Sequence, residues 1–69
     1  MIMVDIDKLP DPYSDVISNF YYENHTLPNQ EFIEKFEKTF RCKTIRKNTN
    51  GWYMQFKDED YTWFLLAWS

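Results

Sequence analysis

Apolar positions change their spacing along this chain, and each change marks a new segment. From Tyr13, the residues Val16, Ile17, Phe20 and Tyr21 fall at i+3, i+4, i+7 and i+8, which is one face of a helix. Asp11 followed by Pro12 predicts its start, because an Asp side chain caps free N–H groups and proline is preorganised for the first helical position. The polar pair Asn24-His25 predicts its end. Pro28 then opens a second helix, since proline is tolerated in a first turn and not later. Phe32, Ile33, Phe36 and Phe40 form its apolar stripe, with Glu31, Glu34, Lys35, Glu37 and Lys38 on the outer side. Glu31 to Lys35 and Glu34 to Lys38 stand in the favourable i,i+4 order, each worth about 0.3–0.5 kcal/mol.

After Phe40 the period shortens from 3.6 towards two. Arg41 to Lys47 alternates loosely, Asn48-Thr49-Asn50-Gly51 is a hairpin signal, and Trp52, Met54 and Phe56 share one face of the strand that follows. Residues 57–60 form a second turn. The run Tyr61-Thr62-Trp63-Phe64-Leu65-Leu66-Ala67-Trp68 has no charge, no Gly and no Pro, and its aromatics suit a pleated surface, which predicts a final strand. The expected fold is α+β: two helices followed by a three-stranded antiparallel β-meander. Its core would hold Val16, Phe20, Phe32, Phe36, Phe40, Phe56, Phe64 and Leu66. The opening MIMV reads either as an extra edge strand or as an arm lying on the core.

Size sharpens this picture. With 69 residues the chain is a single domain near the lower limit for one unassisted core, and its 20% aromatic content is what supplies the density. Cys42 is alone, so no intramolecular disulfide forms, and a lone thiol suits a reducing cytosol. No basic stretch leads into an apolar one at the N-terminus, and no run reaches membrane-spanning length. The expected location is cytoplasmic, with no membrane partner.

Candidate chemistry is sparse. His25 and Cys42 are single representatives of their types, too few for a nucleophile with its base or for a four-ligand zinc site. Asp58 and Asp60 read as a solvated turn. No cofactor or metal is expected, and the chain does not read as an enzyme. Charge is more informative. Residues 1–37 carry eight acids and two bases, residues 38–47 five bases and no acid, and residues 48–69 three acids and one base, within a net charge of −3. The block from Lys38 to Lys47 has two readings. Lys43, Arg46 and Lys47 could meet phosphates, with Trp52 as a stacking surface for single-stranded nucleic acid, or the bases could guard an edge strand against aggregation. The favoured site is instead the aromatic set Tyr53, Tyr61 and Trp63 on the second face of the sheet. Such a face needs a protein partner or a second copy to cover it, unless the N-terminal arm does so.

The segment Phe56 to Trp68, FKDEDYTWFLLAW, resembles the C-terminal endings of small proteins of T-even-like tailed bacteriophages. These close with an aromatic residue, an acidic turn and a Tyr-Thr-x-Phe-Leu-Leu-x-Trp stretch. The resemblance implies a small phage-encoded protein acting in the host cytoplasm as a binder of host or phage machinery, and it brings no site residues of its own.

Overall fold

The computed structural model describes residues 1–48 and 50–69. A strand β1 (Ile2–Asp5) leads through a 3-10 turn (Ile6–Lys8) into helices α1 (Tyr13–Asn24) and α2 (Asn29–Phe40). A hairpin of β2 (Lys43–Arg46) and β3 (Trp52–Phe56) follows, and the chain closes with helix α3 (Asp58–Ala67). The sheet is antiparallel in the order β1-β3-β2, with Val4 and Thr44 both opposite Met54. The α+β class and the three-stranded antiparallel sheet stand as expected. Their order along the chain does not, because the third strand comes from the N-terminus and the C-terminal run is a helix.

The helical signal in that run lies in Tyr61, Phe64, Leu65 and Trp68, spaced i, i+3, i+4 and i+7. Phe64 is buried and the other three are half-buried against the core, whereas Leu66 is 75% exposed and leaves the expected core list. Asp58, Glu59 and Asp60 fill the first turn, where carboxylates oppose the positive end of the helix dipole. At the other end the Tyr13 hydroxyl donates to the Leu65 carbonyl at 2.8 Å and the Ser69 hydroxyl to the Leu66 carbonyl at 3.1 Å. These bonds serve carbonyls that a helix end otherwise leaves unpaired.

The two earlier helices keep their expected stripes, with local differences. Asp11 does not cap α1; its N-cap is Pro12, with no side-chain bond. Neither Glu31–Lys35 nor Glu34–Lys38 closes as an ion pair among the described residues. Glu34 accepts from Gln30 instead, and Lys35 reaches back to the buried Asn24 Oδ1 at 2.6 Å, while Asn24 Nδ2 donates to the Phe20 carbonyl. Both ends of that buried amide are thus satisfied, which fixes the exit of α1 against α2. Arg41 ends α2 in the left-handed conformation at φ 53°, turning the chain into β2. Glu37 secures the reversal by accepting from both the N–H and the hydroxyl of Thr44. The expected hairpin turn includes Thr49, which lies outside the described residues. Gly51 has φ +123°, and a Cβ there would come within 2.9 Å of an Asp7 carboxylate oxygen.

The core is aromatic. Phe20, Phe36, Phe40, Phe56 and Phe64 are buried as expected, Val16 and Phe32 pack at its margin, and Ile17, Cys42 and Met54 join them. Phe40 meets Phe20 of α1 at 5.3 Å, Phe36 at 4.8 Å, and Phe64 and Trp68 at the far end of the chain at 6.0 and 5.3 Å.

Phe64→Ala should therefore cost about 3–5 kcal/mol in denaturant unfolding, by loss of burial and creation of a cavity. Leu66→Ala should stay within about 0.5 kcal/mol of the parent, as exposed substitutions do. Similar losses at the two positions would contradict the helix.

Candidate functional site

Between the helices and the hairpin lies an open, largely apolar groove of about 600 Å3. Ile17 and Tyr21 of α1 form one wall, Phe32 and Ile33 of α2 another, and Arg46 and Trp52 at the end of the hairpin close the third side. Tyr21 stands edge-on to Phe32 at 5.6 Å and is 64% exposed, so its ring is held without being covered. Among the described residues of the lining Arg46 alone is charged, and its guanidinium lies 6.0 Å from the Trp52 ring centre. The volume falls within the roughly 300–1,000 Å3 of typical ligand sites, and the makeup is apolar walls with few polar groups.

The aromatic set expected on one sheet face is divided. Tyr53 lies on the face away from the core, between Asp5 and Ile45. Tyr61 and Trp63 belong to α3, because residues 58–67 are helical: Tyr61 packs on Phe56 at 5.5 Å, while Trp63 lies 3.9 Å beneath the Arg41 guanidinium. No two of the three rings are in contact among the described residues, and because two of them leave the sheet, the argument from a shared sheet face loses its geometric basis. MIMV is an edge strand, not an arm across the second face.

The basic block is divided as well. Lys47 is bonded to Asp5 at 2.5 Å and to Asp7 at 3.3 Å, with its ammonium 5.2 Å from the Tyr53 ring centre. Arg46 and Trp52 adjoin at the groove, and Lys43 lies on the opposite sheet face, paired across the ladder with Gln55. Lys43, Arg46, Lys47 and Trp52 thus do not form one phosphate-binding surface. β2 is an edge strand, and its Thr44 N–H is occupied by Glu37. His25 caps the end of α1, its Nδ1 2.6 Å from the Tyr22 carbonyl. Asp58 and Asp60 sit in the first turn of α3.

No family model, curated protein or solved structure matches the chain. No helix among the described residues is long and apolar enough to cross a membrane, and no three His, Cys, Asp or Glu side chains among them gather as a metal-sized cluster. The groove residues Tyr21, Phe32 and Ile33 are the ones sequence reasoning missed as a site. Their signal was present in the stripes of α1 and α2, which carry more apolar side chains than one core side can absorb.

Two titrations follow from these surroundings. Burial pushes the Cys42 thiol up to about 12, with the Glu37 carboxylate adding to the effect, so the thiol is neutral and inert in the folded protein. Iodoacetamide at mildly alkaline pH should label Cys42 only after denaturant is added; rapid labelling of the native chain would contradict its placement. The hydrogen bond from Lys47 holds the Asp5 carboxyl below its ordinary 3.8, and the same bond raises Lys47 above 10.5. The Asp5 contribution is present above its unfolded value and lost as pH falls through the lowered one. The Lys47 contribution is present below its unfolded value and lost as pH rises through the raised one. Lys47→Gln should lower Tm at neutral pH, and its gap to the parent should close in acid below 3.8 and in alkali above 10.5. A gap constant across that range would mean the pair contributes nothing.

Proposed function

We propose that this chain is a non-enzymatic protein-interaction module that takes an apolar segment of a partner protein in the groove between its helices and its hairpin. The observation that supports this most is the lining itself: Tyr21, Phe32, Ile33 and Trp52 form an accessible apolar trough, and Arg46 adds a charge beside the uncharged polar groups of Asn29, Thr44 and Asn50. Trp, Tyr and Arg are the side chains that most often anchor protein interfaces. Arg46 supplies the charge, and a guanidinium offers a fork of donors that matches an acidic side chain. No Asp, Glu, His, Lys or Cys stands among the described residues of the lining to serve as a general acid, base or thiol nucleophile, which favours binding over catalysis. The likeness of its ending to small phage proteins supports a setting in a bacterial host cytoplasm, with host or phage machinery as the source of the partner.

A displayed peptide library screened against the full chain tests this. Enriched peptides should carry adjacent aromatic or branched apolar residues with an Asp or Glu nearby. Trp52→Ser or Arg46→Gln should weaken them by roughly thirtyfold, the loss of one interface anchor. Moderate salt should change the affinity little. Peptides that bind both variants as well as the parent would overturn the proposal. So would tight oligonucleotide binding that collapses as salt rises.

A further inference from the structure

At the end of the sheet away from the groove, a small recess of about 210 Å3 gathers three cationic side chains with no ion-pair partner among the described residues. Arg41, Lys43 and Lys57 line it together with Met1, Gln55, Phe56 and Asp60, the Met1 ammonium being paired with Asp58 at 3.8 Å. They arrive from three places: Arg41 from the left-handed turn after α2, Lys43 from β2, and Lys57 from the link between β3 and α3. Lys43 and Gln55 are ladder partners, and Lys57 follows Gln55 by two residues in extended backbone, so strand alternation puts all three on the sheet face away from the core. Trp63 holds Arg41 in position, its ring 3.9 Å from the guanidinium carbon.

None of the three cations makes an ion pair among the described residues, although the chain has 11 acids to eight bases with which to form them. Lys47, a few residues away, shows the alternative by bonding two carboxylates. Among the described residues of the lining Asp60 is the only acid, so three cationic side chains face one carboxylate. Like charges held together raise the energy of the empty site and are relieved by an anion. We propose that this recess binds a phosphomonoester dianion. Its donors are three cationic groups and the Gln55 amide, a set that outnumbers the two oxygens of a carboxylate and suits a group with about two negative charges and three acceptor oxygens. The volume lies below the roughly 300 Å3 of the smallest typical ligand pockets, enough for the phosphate and not for a whole nucleotide. Stacking on Trp63 restricts Arg41 before the anion arrives, which lowers the ordering cost of binding. This site lies at the opposite end of β3 from the groove and does not depend on it.

Titration of the full chain with inorganic phosphate against chloride at matched ionic strength, followed by amide chemical shifts and indole fluorescence, tests the proposal. Saturable shifts should centre on Gln55, Lys57 and the Trp63 indole. Lys43→Gln and Lys57→Gln should each weaken binding by roughly tenfold, the worth of one charge-assisted bond. Asp60→Asn should tighten it, and the exposed Lys38→Gln should leave it unchanged. Phosphoserine and a nucleoside 5′-monophosphate then distinguish the source of the group, the tighter of the two identifying it. Shifts no larger than those from chloride, or variants at Lys43 and Lys57 that bind like the parent, would overturn the proposal.

Discussion

The fold depends on covering one ring. Phe40 is the last residue of α2 and is 1% exposed, and its burial requires contributions from segments far apart in the chain. Phe20 comes from α1, Phe64 and Trp68 from the C-terminal segment, and Phe56 reaches it through Phe64 at 5.2 Å. A chain this short buries too small a share of its surface to stabilise several independent contacts. Aromatic packing at one point replaces the disulfides or metals that other small domains use. Helix α3 is therefore a wall of the core and not an appendage, and its backbone is tied to α1 through the Tyr13 hydroxyl.

The same constraint explains what was legible in the sequence. α1, α2 and the β2–β3 hairpin could be read because each carries a local contrast between apolar and polar faces, and Asn50-Gly51 marks the reversal. α3 does not announce itself in the sequence because the contrast is missing there. Trp63 stacks beneath Arg41 and Leu66 faces solvent, so apolar residues stand on nearly every side of the helix and conceal the spacing of Tyr61, Phe64, Leu65 and Trp68. β-propensity measures fitness for a half-buried surface, and large rings fit a helix that closes a core as well. The place of β1 was only half legible for a different reason. Its pairing partner, β3, lies some fifty residues away in sequence, and no local pattern encodes so distant a contact.

The candidate sites were legible as residue types but not as groupings. Ten successive residues with five bases read as one surface, yet Lys38 stays exposed on α2, and the turn at Arg41, strand alternation and the acids of the N-terminal strand and turn give the other four bases three environments. Lys47 is used internally, Arg46 borders the apolar groove, and Arg41 and Lys43 face the recess that Lys57 completes. Which cations are free to meet another molecule is thus decided by where the acids fall in the tertiary structure, not by the local count. The groove has a similar origin. α1 and α2 carry apolar rows wider than the narrow three-stranded sheet can cover, and the surplus at Tyr21, Phe32 and Ile33 remains accessible.

The central claim is that the C-terminal segment is a helix whose Phe64 closes the core around Phe40. Solution NMR of the full chain tests it directly through Cα chemical shifts of residues 58–67 and ring-to-ring Overhauser effects. The account predicts helical shifts across that segment, with the Phe64 ring close to those of both Phe40 and Phe56. Extended shifts, with cross-strand contacts linking residues 61–68 to residues 52–56, would contradict it.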